Sequence, residues 1–86
     1  MLSGREGELV SVSIDIDPRR LETLLEALAL VGFPINPEIY HGPVTTVEFP
    51  AYRSRVDEVR SALRAAGLRD VEVHCVSMLE KVAAAH

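Results

Sequence analysis

The stretch from Gly32 to Phe49 constrains the fold most, because it contains two extended runs joined by a tight turn. Phe33 to His41 and Val44 to Phe49 both alternate apolar and polar residues, which is typical of half-buried β-strands. Gly42 and Pro43 separate the two runs and favour a turn. Because a segment with helical periodicity lies on each side, the sequence predicts a central β-hairpin in a strand–helix–hairpin–helix–strand order.

Upstream of the hairpin, the sequence predicts one strand and one helix. Leu9 to Ile16 alternates apolar and polar residues and is predicted to be the first strand. Asp17 can accept hydrogen bonds from the first-turn amides of a helix, and Pro18 suits the first helical position. Gly32 is expected to end this helix in a left-handed turn. The apolar stripe of the helix consists of Leu21, Leu24, Leu25 and Leu28.

Downstream of the hairpin, the sequence predicts a second helix and a fourth strand. Pro50 is expected to stop the third strand, and Ser54 with Asp57 resembles a helix start. Gly67 is expected to end the helix. Apolar and polar residues then alternate from Val71 to Cys75, which predicts the fourth strand. The apolar stripe of the second helix consists of Val56, Val59, Leu63 and Ala66.

This element order predicts an α+β fold of the ferredoxin-like βαββαβ type. Right-handed crossovers place both helices on one face of an antiparallel sheet of order 4-1-3-2. With 86 residues, the chain is long enough for one domain. We expect a flexible N-terminus over residues 1–8, the domain over residues 9–77, and a C-terminal tail or short helix over residues 78–86. The predicted core consists of Val10, Val12, Ile14, Leu21, Leu24, Leu25, Leu28, Phe33, Ile35, Val47, Phe49, Val56, Val59, Leu63, Val71 and Val73.

Composition restricts the partners of such a domain. A formal net charge of −4 disfavours nucleic acid and anionic membranes as partners. No apolar run approaches the roughly 20 residues of a membrane-spanning helix. Cys75 is the only cysteine, so it cannot form an internal disulfide, and we expect it to pack as a small apolar residue. We therefore expect a cytoplasmic protein that requires no cofactor.

The sheet face away from the helices contains two candidate side chains, Tyr40 and His74. RNA-binding sheets of this fold use stacked aromatic and basic residues, whereas this face has one aromatic residue and several carboxylates. His74 is expected to neighbour Ser13 or Asp15 on the first strand. A His–carboxylate pair can support acid–base chemistry, although a solvated surface histidine is the simpler interpretation. No metal site is predicted, because His41 and His74 lie on strands at opposite edges.

Three segments give the chain a resemblance to a known family. They are Asp17-Pro18-Arg19-Arg20-Leu21, Leu24-Leu25-Glu26-Ala27-Leu28-Ala29-Leu30-Val31-Gly32-Phe33-Pro34-Ile35-Asn36, and the helix–strand unit from Val56 to Val73. On these segments, residues 9–76 resemble the ACT domain family. Its members are small regulatory modules of this fold that often bind amino acids at dimer interfaces.

The resemblance implies a non-enzymatic regulatory or ligand-binding domain, with an amino acid as the candidate ligand. The implied site lies where the first strand meets the first helix, at Asp15, Asp17, Arg19 and Arg20, and is completed by a second protomer. Members that bind amino acids usually have Gly before the Leu that opens this helix, and Arg20 holds that position here. Two alternatives remain open: a small ferredoxin-like enzyme with a site between protomers that uses His74, and a purely structural protein-interaction module.

We expect a homodimer, because domains of this size are often stabilised by oligomerisation. Pro34 is expected to precede the regular pairing of the second strand. Pro37 is expected on the outer edge of that strand, where it removes a hydrogen-bond donor. Edge-to-edge pairing through this strand should therefore be interrupted at Pro37.

Overall fold

The computed structural model describes residues 7–78 and confirms the ferredoxin-like α+β fold. The expectations for residues 1–6 and 79–86 lie outside the described residues. The sheet has the order β2-β3-β1-β4, with antiparallel neighbours throughout. Single 3₁₀ turns at Pro18–Arg20 and Arg53–Arg55 precede the two helices. The elements are β1 (Leu9–Ile16), α1 (Leu21–Leu28), β2 (Glu38–Tyr40), β3 (Thr45–Tyr52), α2 (Val56–Ala65) and β4 (Glu72–Ser77).

The hydrophobic core lies between the two helices and one face of the sheet. Its buried apolar residues are Val10, Val12, Ile14, Ile16, Leu24, Ala27, Leu28, Val47, Phe49, Ala51, Val56, Val59, Leu63 and Leu68. Several predicted core residues are instead half-buried and pack around this cluster: Leu21, Leu25, Phe33, Ile35, Val71 and Val73. Cys75 is likewise half-buried against the core, as expected from its inward position on β4.

The second strand is much shorter than predicted, since only Glu38–Tyr40 pairs with β3. The residues before it are held by the start of α2 and the 3₁₀ turn that precedes it, instead of by the sheet. The guanidinium of Arg55 lies 4.9 Å from the centre of the Phe33 ring, and the Gly32 amide donates to the Glu58 carboxylate at 3.3 Å. Pro37 immediately precedes the strand, so its missing amide marks where pairing begins.

The third strand is longer than predicted, because Pro50 lies inside it and does not stop it. β3 continues to Tyr52, and Pro50 is paired with Ser11 of β1. On its other side, β2 pairs only with Thr46 to Glu48. Pro50 therefore occupies a part of β3 where one side has no described strand partner, and its missing amide breaks no ladder there.

Two of the predicted helix ends are confirmed, the start of the first helix at Asp17 and the end of the second at Gly67. Asp17 caps the turn that leads into α1, as predicted, because its carboxylate accepts from the Arg19 amide at 2.9 Å. Gly67 ends the second helix with a φ of +81°, where the Leu68 amide donates to the Leu63 carbonyl at 2.8 Å.

Two other helix signals were wrong. α1 ends at Leu28, well before Gly32, which is not in the left-handed region. Ser54 lies inside the 3₁₀ turn, and the N-cap position of α2 is Arg55.

Candidate functional site

A depression of about 480 Å³ lies where β1 meets α1. The end of β1, the start of α1, the hairpin loop and the loop before β4 converge there. β1 is central in the sheet, so Asp15 is flanked by Thr46 on β3 and by Glu72 on β4. The depression is lined by Asp15, Ile16, Asp17, Arg20, Val44, Asp70, Val71 and Glu72.

Among residues 7–78, Arg20 is the only cationic side chain that lines this depression. One guanidinium nitrogen lies 2.9 Å from a carboxylate oxygen of Asp70, and the other lies 3.5 Å from the Gly67 carbonyl. Because the carboxylate accepts this hydrogen bond, the pKa of Asp70 is held below its usual value, and the pKa of Arg20 is raised. The ion pair joins the start of α1 to the loop that leads into β4.

Arg19 does not line the depression, although the sequence placed it in the site. Its guanidinium folds back onto Asp17 at 3.1 Å, and its side chain is 89% exposed. The hydrogen bonds from Arg19 lower the pKa of Asp17. The structure thus brings together three of the four predicted residues, Asp15, Asp17 and Arg20, and turns Arg19 towards solvent.

Asp15 also belongs to a polar network on the open face of the sheet. Its carboxylate accepts from the Thr46 hydroxyl at 2.8 Å and lies 3.8 Å from Nε2 of His74. The same His74 nitrogen lies 3.3 Å from the Glu72 carboxylate. The prediction that His74 neighbours β1 is confirmed, because His74 is paired with Ser13 in the register. The network and the depression therefore share Asp15 and Glu72.

Tyr40 lies on this face but away from His74. Its hydroxyl donates to Glu38 at 3.3 Å, and half of the residue is exposed. β2 and β4 are the two outer strands, so two other strands separate the side chains. With strands roughly 4.8 Å apart, that separation exceeds the reach of a shared small-ligand contact.

Sequence reasoning missed Asp70 and Val71 as lining residues. They occupy the loop before β4, more than fifty positions from Asp17 along the chain. A signal did exist, because the predicted strand order places the start of β4 beside the end of β1. Within residues 7–78, no three His, Cys, Asp or Glu side chains are placed to hold a metal ion. None of the helices described there is long and apolar enough to cross a membrane.

Two comparisons with known proteins gave no match. The sequence matches no model of a known protein family, and no curated protein is significantly similar to it. The fold and the geometry of the corner therefore have to support any functional proposal.

Proposed function

We propose that the chain is a non-enzymatic, ACT-like regulatory domain that binds a small ligand with an amino group, an amino acid being the expected class. One observation carries the proposal: a single guanidinium and four carboxylates line a depression at the β1–α1 corner. Its volume of about 480 Å³ falls within the range of roughly 300–1,000 Å³ that is common for small-molecule sites.

The charges fit the two ends of an amino acid. Only some of the Arg20 guanidinium N–H groups donate to Asp70 and Gly67, so further N–H groups remain for a ligand carboxylate. Asp15 and Glu72 are paired across two strands and supply acceptors for an ammonium group. Val44 adds an apolar wall.

The balance of charge favours a cationic ligand. Of the four lining carboxylates, Asp70 is paired with Arg20 and Asp17 with the outward-turned Arg19, so the charges of Asp15 and Glu72 are not offset by an arginine of the described chain. An amino acid with a basic side chain would complement this surface better than an acidic one, because like charges in a partly enclosed site repel each other. In ACT domains that have Gly at this position, the ligand approaches the backbone closely. Here we expect the Arg20 side chain to contact the ligand at this position.

The test is NMR chemical-shift titration with a panel of amino acids. Lysine and arginine should shift the amides of residues 15–20 and 70–72, whereas glutamate should shift them much less. Glu72→Gln should weaken binding several-fold. Glu38→Gln is the control, because this substitution removes the same charge at the opposite edge of the sheet, and it should leave binding unchanged. Shifts confined to the hairpin turn, or equal responses to lysine and glutamate, would contradict the proposal.

We also propose that the domain forms a homodimer through the open face. Four apolar residues adjoin there by register: Leu9 faces Tyr52, and Pro50 and Val76 flank Ser11. Each of them is exposed, and together they form an apolar patch beside the polar network. Carboxylates on the same face oppose close contact at neutral pH, so the dimer should tighten in added salt. Sedimentation at several salt concentrations tests this, and a monomer throughout would contradict it.

The enzyme alternative is favoured by one observation, the placement of His74. Its Nε2 lies within 4 Å of two carboxylates that also line the depression, which is an arrangement suited to proton transfer. Turnover of any substrate that is lost in His74→Ala but retained in His41→Ala would support this alternative over simple binding.

A further inference from the structure

The two edges of the sheet are built differently. β2 has three residues, and Pro34, Pro37 and Pro43 lie close to it. β4 has six residues and no proline. Proline and short length both discourage pairing with another strand, so β2 is a protected edge and β4 is not.

The outer side of β4 offers a regular set of backbone groups. In the described chain, β4 pairs only with β1. Successive amides in a strand point to opposite sides, so about half of the β4 amides and carbonyls face away from β1. An extended peptide can satisfy such groups by adding a strand to the sheet.

Three arginines lie beside this edge on its helix side. A depression of about 270 Å³ is lined by Arg60, Arg64, Leu68, Arg69, Val71 and Val73. Val73 belongs to β4 itself, whereas Arg60 and Arg64 are one helical turn apart on α2. The edge of an acidic chain is therefore bordered by a local concentration of positive charge.

The charges of these arginines are poorly compensated. Arg60 lies 3.6 Å from Asp57, whose side chain is almost fully exposed. Among the described residues, no carboxylate lies within 4.0 Å of Arg64 or Arg69. The helix dipole favours a cation in the last turn of a helix, which explains Arg64 at the end of α2. It does not explain three arginines around one depression.

From these observations we propose that the β4 edge docks an extended acidic segment of another protein. The segment adds a fifth strand beside β4. Its alternate side chains then point to the helix side, where carboxylates meet Arg60, Arg64 and Arg69. The half-buried Val71 and Val73 provide apolar contact below them.

A second copy of the chain fits this edge poorly. Two β4 strands that pair antiparallel about a two-fold axis keep both helical layers on the same face of the joined sheet. Both sets of three arginines would then border one seam, and their repulsion would oppose the pair. An acidic segment removes that repulsion, so charge selects a different protein as the occupant.

Two labelled peptides test the proposal against the full chain: acetyl-(Glu-Val)₄-amide and acetyl-(Lys-Val)₄-amide. Fluorescence anisotropy should show binding of the Glu peptide only, and the binding should weaken with salt. Amide hydrogen exchange should slow at alternate positions of β4. A Glu peptide with a central proline should bind at least several-fold more weakly, because it cannot pair along the whole edge.

Variants separate this edge from general charge effects. The double variant Arg64→Gln/Arg69→Gln should weaken binding of the Glu peptide about tenfold, since each pair at a partly exposed site contributes modestly. Arg19→Gln removes a guanidinium that does not line this depression and should leave binding unchanged. All three positions are exposed, so folding should be retained.

Several results would overturn the proposal. These are equal binding of the two peptides, unchanged exchange in β4, no binding at millimolar protein, and a dimer that forms through β4. Inorganic phosphate that shifts the arginine resonances while the Glu peptide fails to bind would leave a simple anion site and would also overturn it.

Discussion

The two faces of the sheet differ more than any other two regions of the molecule. On the helix side, Val10, Val12 and Ile14 of β1 are fully buried. On the other side, the intervening Ser13 and Asp15 are partly exposed and bond to β3 side chains. One strand thus supplies the centre of the core and the centre of a polar surface, because successive side chains point to opposite faces.

This difference should separate the residues that determine stability from those available for binding. Apolar burial drives folding, so substitutions on the helix face should act mainly on stability. Polar groups on the open face exchange contacts with water for contacts with each other, and their net stabilisation is small. The open face can therefore carry the polar network of His74, Asp15 and Glu72 without loss of the fold.

The largest expected effect compares one residue type on the two faces. Val12→Ala should lower the free energy of unfolding by about 2–3 kcal/mol, since it removes buried methyl groups worth about 0.8 kcal/mol each and leaves a cavity. At protein concentrations low enough to keep the chain monomeric, Val76→Ala should cost under about 1 kcal/mol, because Val76 is 43% exposed on the open face. Urea unfolding of both variants measures the difference. Equal losses at higher concentrations would show that Val76 is buried in solution, as an open-face dimer would require.

The fold could be predicted from the sequence because alternation and helical periodicity are local signals. The strand order followed from chain connectivity once four strands and two helices were recognised. The length of β2 could not be predicted, because Phe33 is held by Arg55 of the 3₁₀ turn before α2, which is a contact between distant residues. Pro50 was misleading for a similar reason: whether a proline breaks a strand depends on which side of it has a partner.

The candidate site was only partly predictable. Asp15, Asp17 and Arg20 follow directly from the β1–α1 junction. Arg19 and Arg20 are adjacent and chemically identical, and only the position of Asp70 shows which of them faces the depression. The cluster of arginines beside β4 could not be predicted from the sequence. Arg60 and Arg64 resemble ordinary solvated helix residues until the edge strand is placed beside them.

A smaller effect is expected from the hydrogen bonds on the open face. Thr46→Val keeps the shape and strand propensity of the side chain but removes its 2.8 Å bond to Asp15. The loss should be about 1 kcal/mol, because the acceptor is charged but partly solvated. Urea unfolding measures it, and Thr46→Ser is the control that keeps the hydroxyl. A loss as large as that of Val12→Ala would remove the distinction between the two faces.

The smallest effect concerns the ion pair at the corner, which belongs to neither face. Arg20 holds the pKa of Asp70 below its ordinary value of 3.8. The folded protein therefore binds this proton less readily than the unfolded chain does, and the pair stabilises the fold fully above that pH. Its contribution is lost as the pH falls below 3.8 and through the lower pKa of the folded state. Asp70 is exposed and Arg20 is partly exposed, so solvent keeps the effect small.

Urea midpoints measured from about pH 7 down to about pH 2 should show this loss in the unaltered chain and less of it in Asp70→Asn. Asp57→Asn is the matched control, because the nearest guanidinium nitrogen of Arg60 lies 3.6 Å away and the side chain is 93% exposed. It should leave the acid-dependent loss unchanged. If both variants flatten the pH dependence equally, the acid sensitivity comes from the overall charge of the chain and not from the Arg20–Asp70 pair. If neither does, the remaining sensitivity belongs to other carboxylates. Glu8 and Glu58 are then the next residues to substitute. Hydrogen bonds from Ser77 and Arg53 lower the pKa of Glu8, and a hydrogen bond from Arg55 lowers the pKa of Glu58.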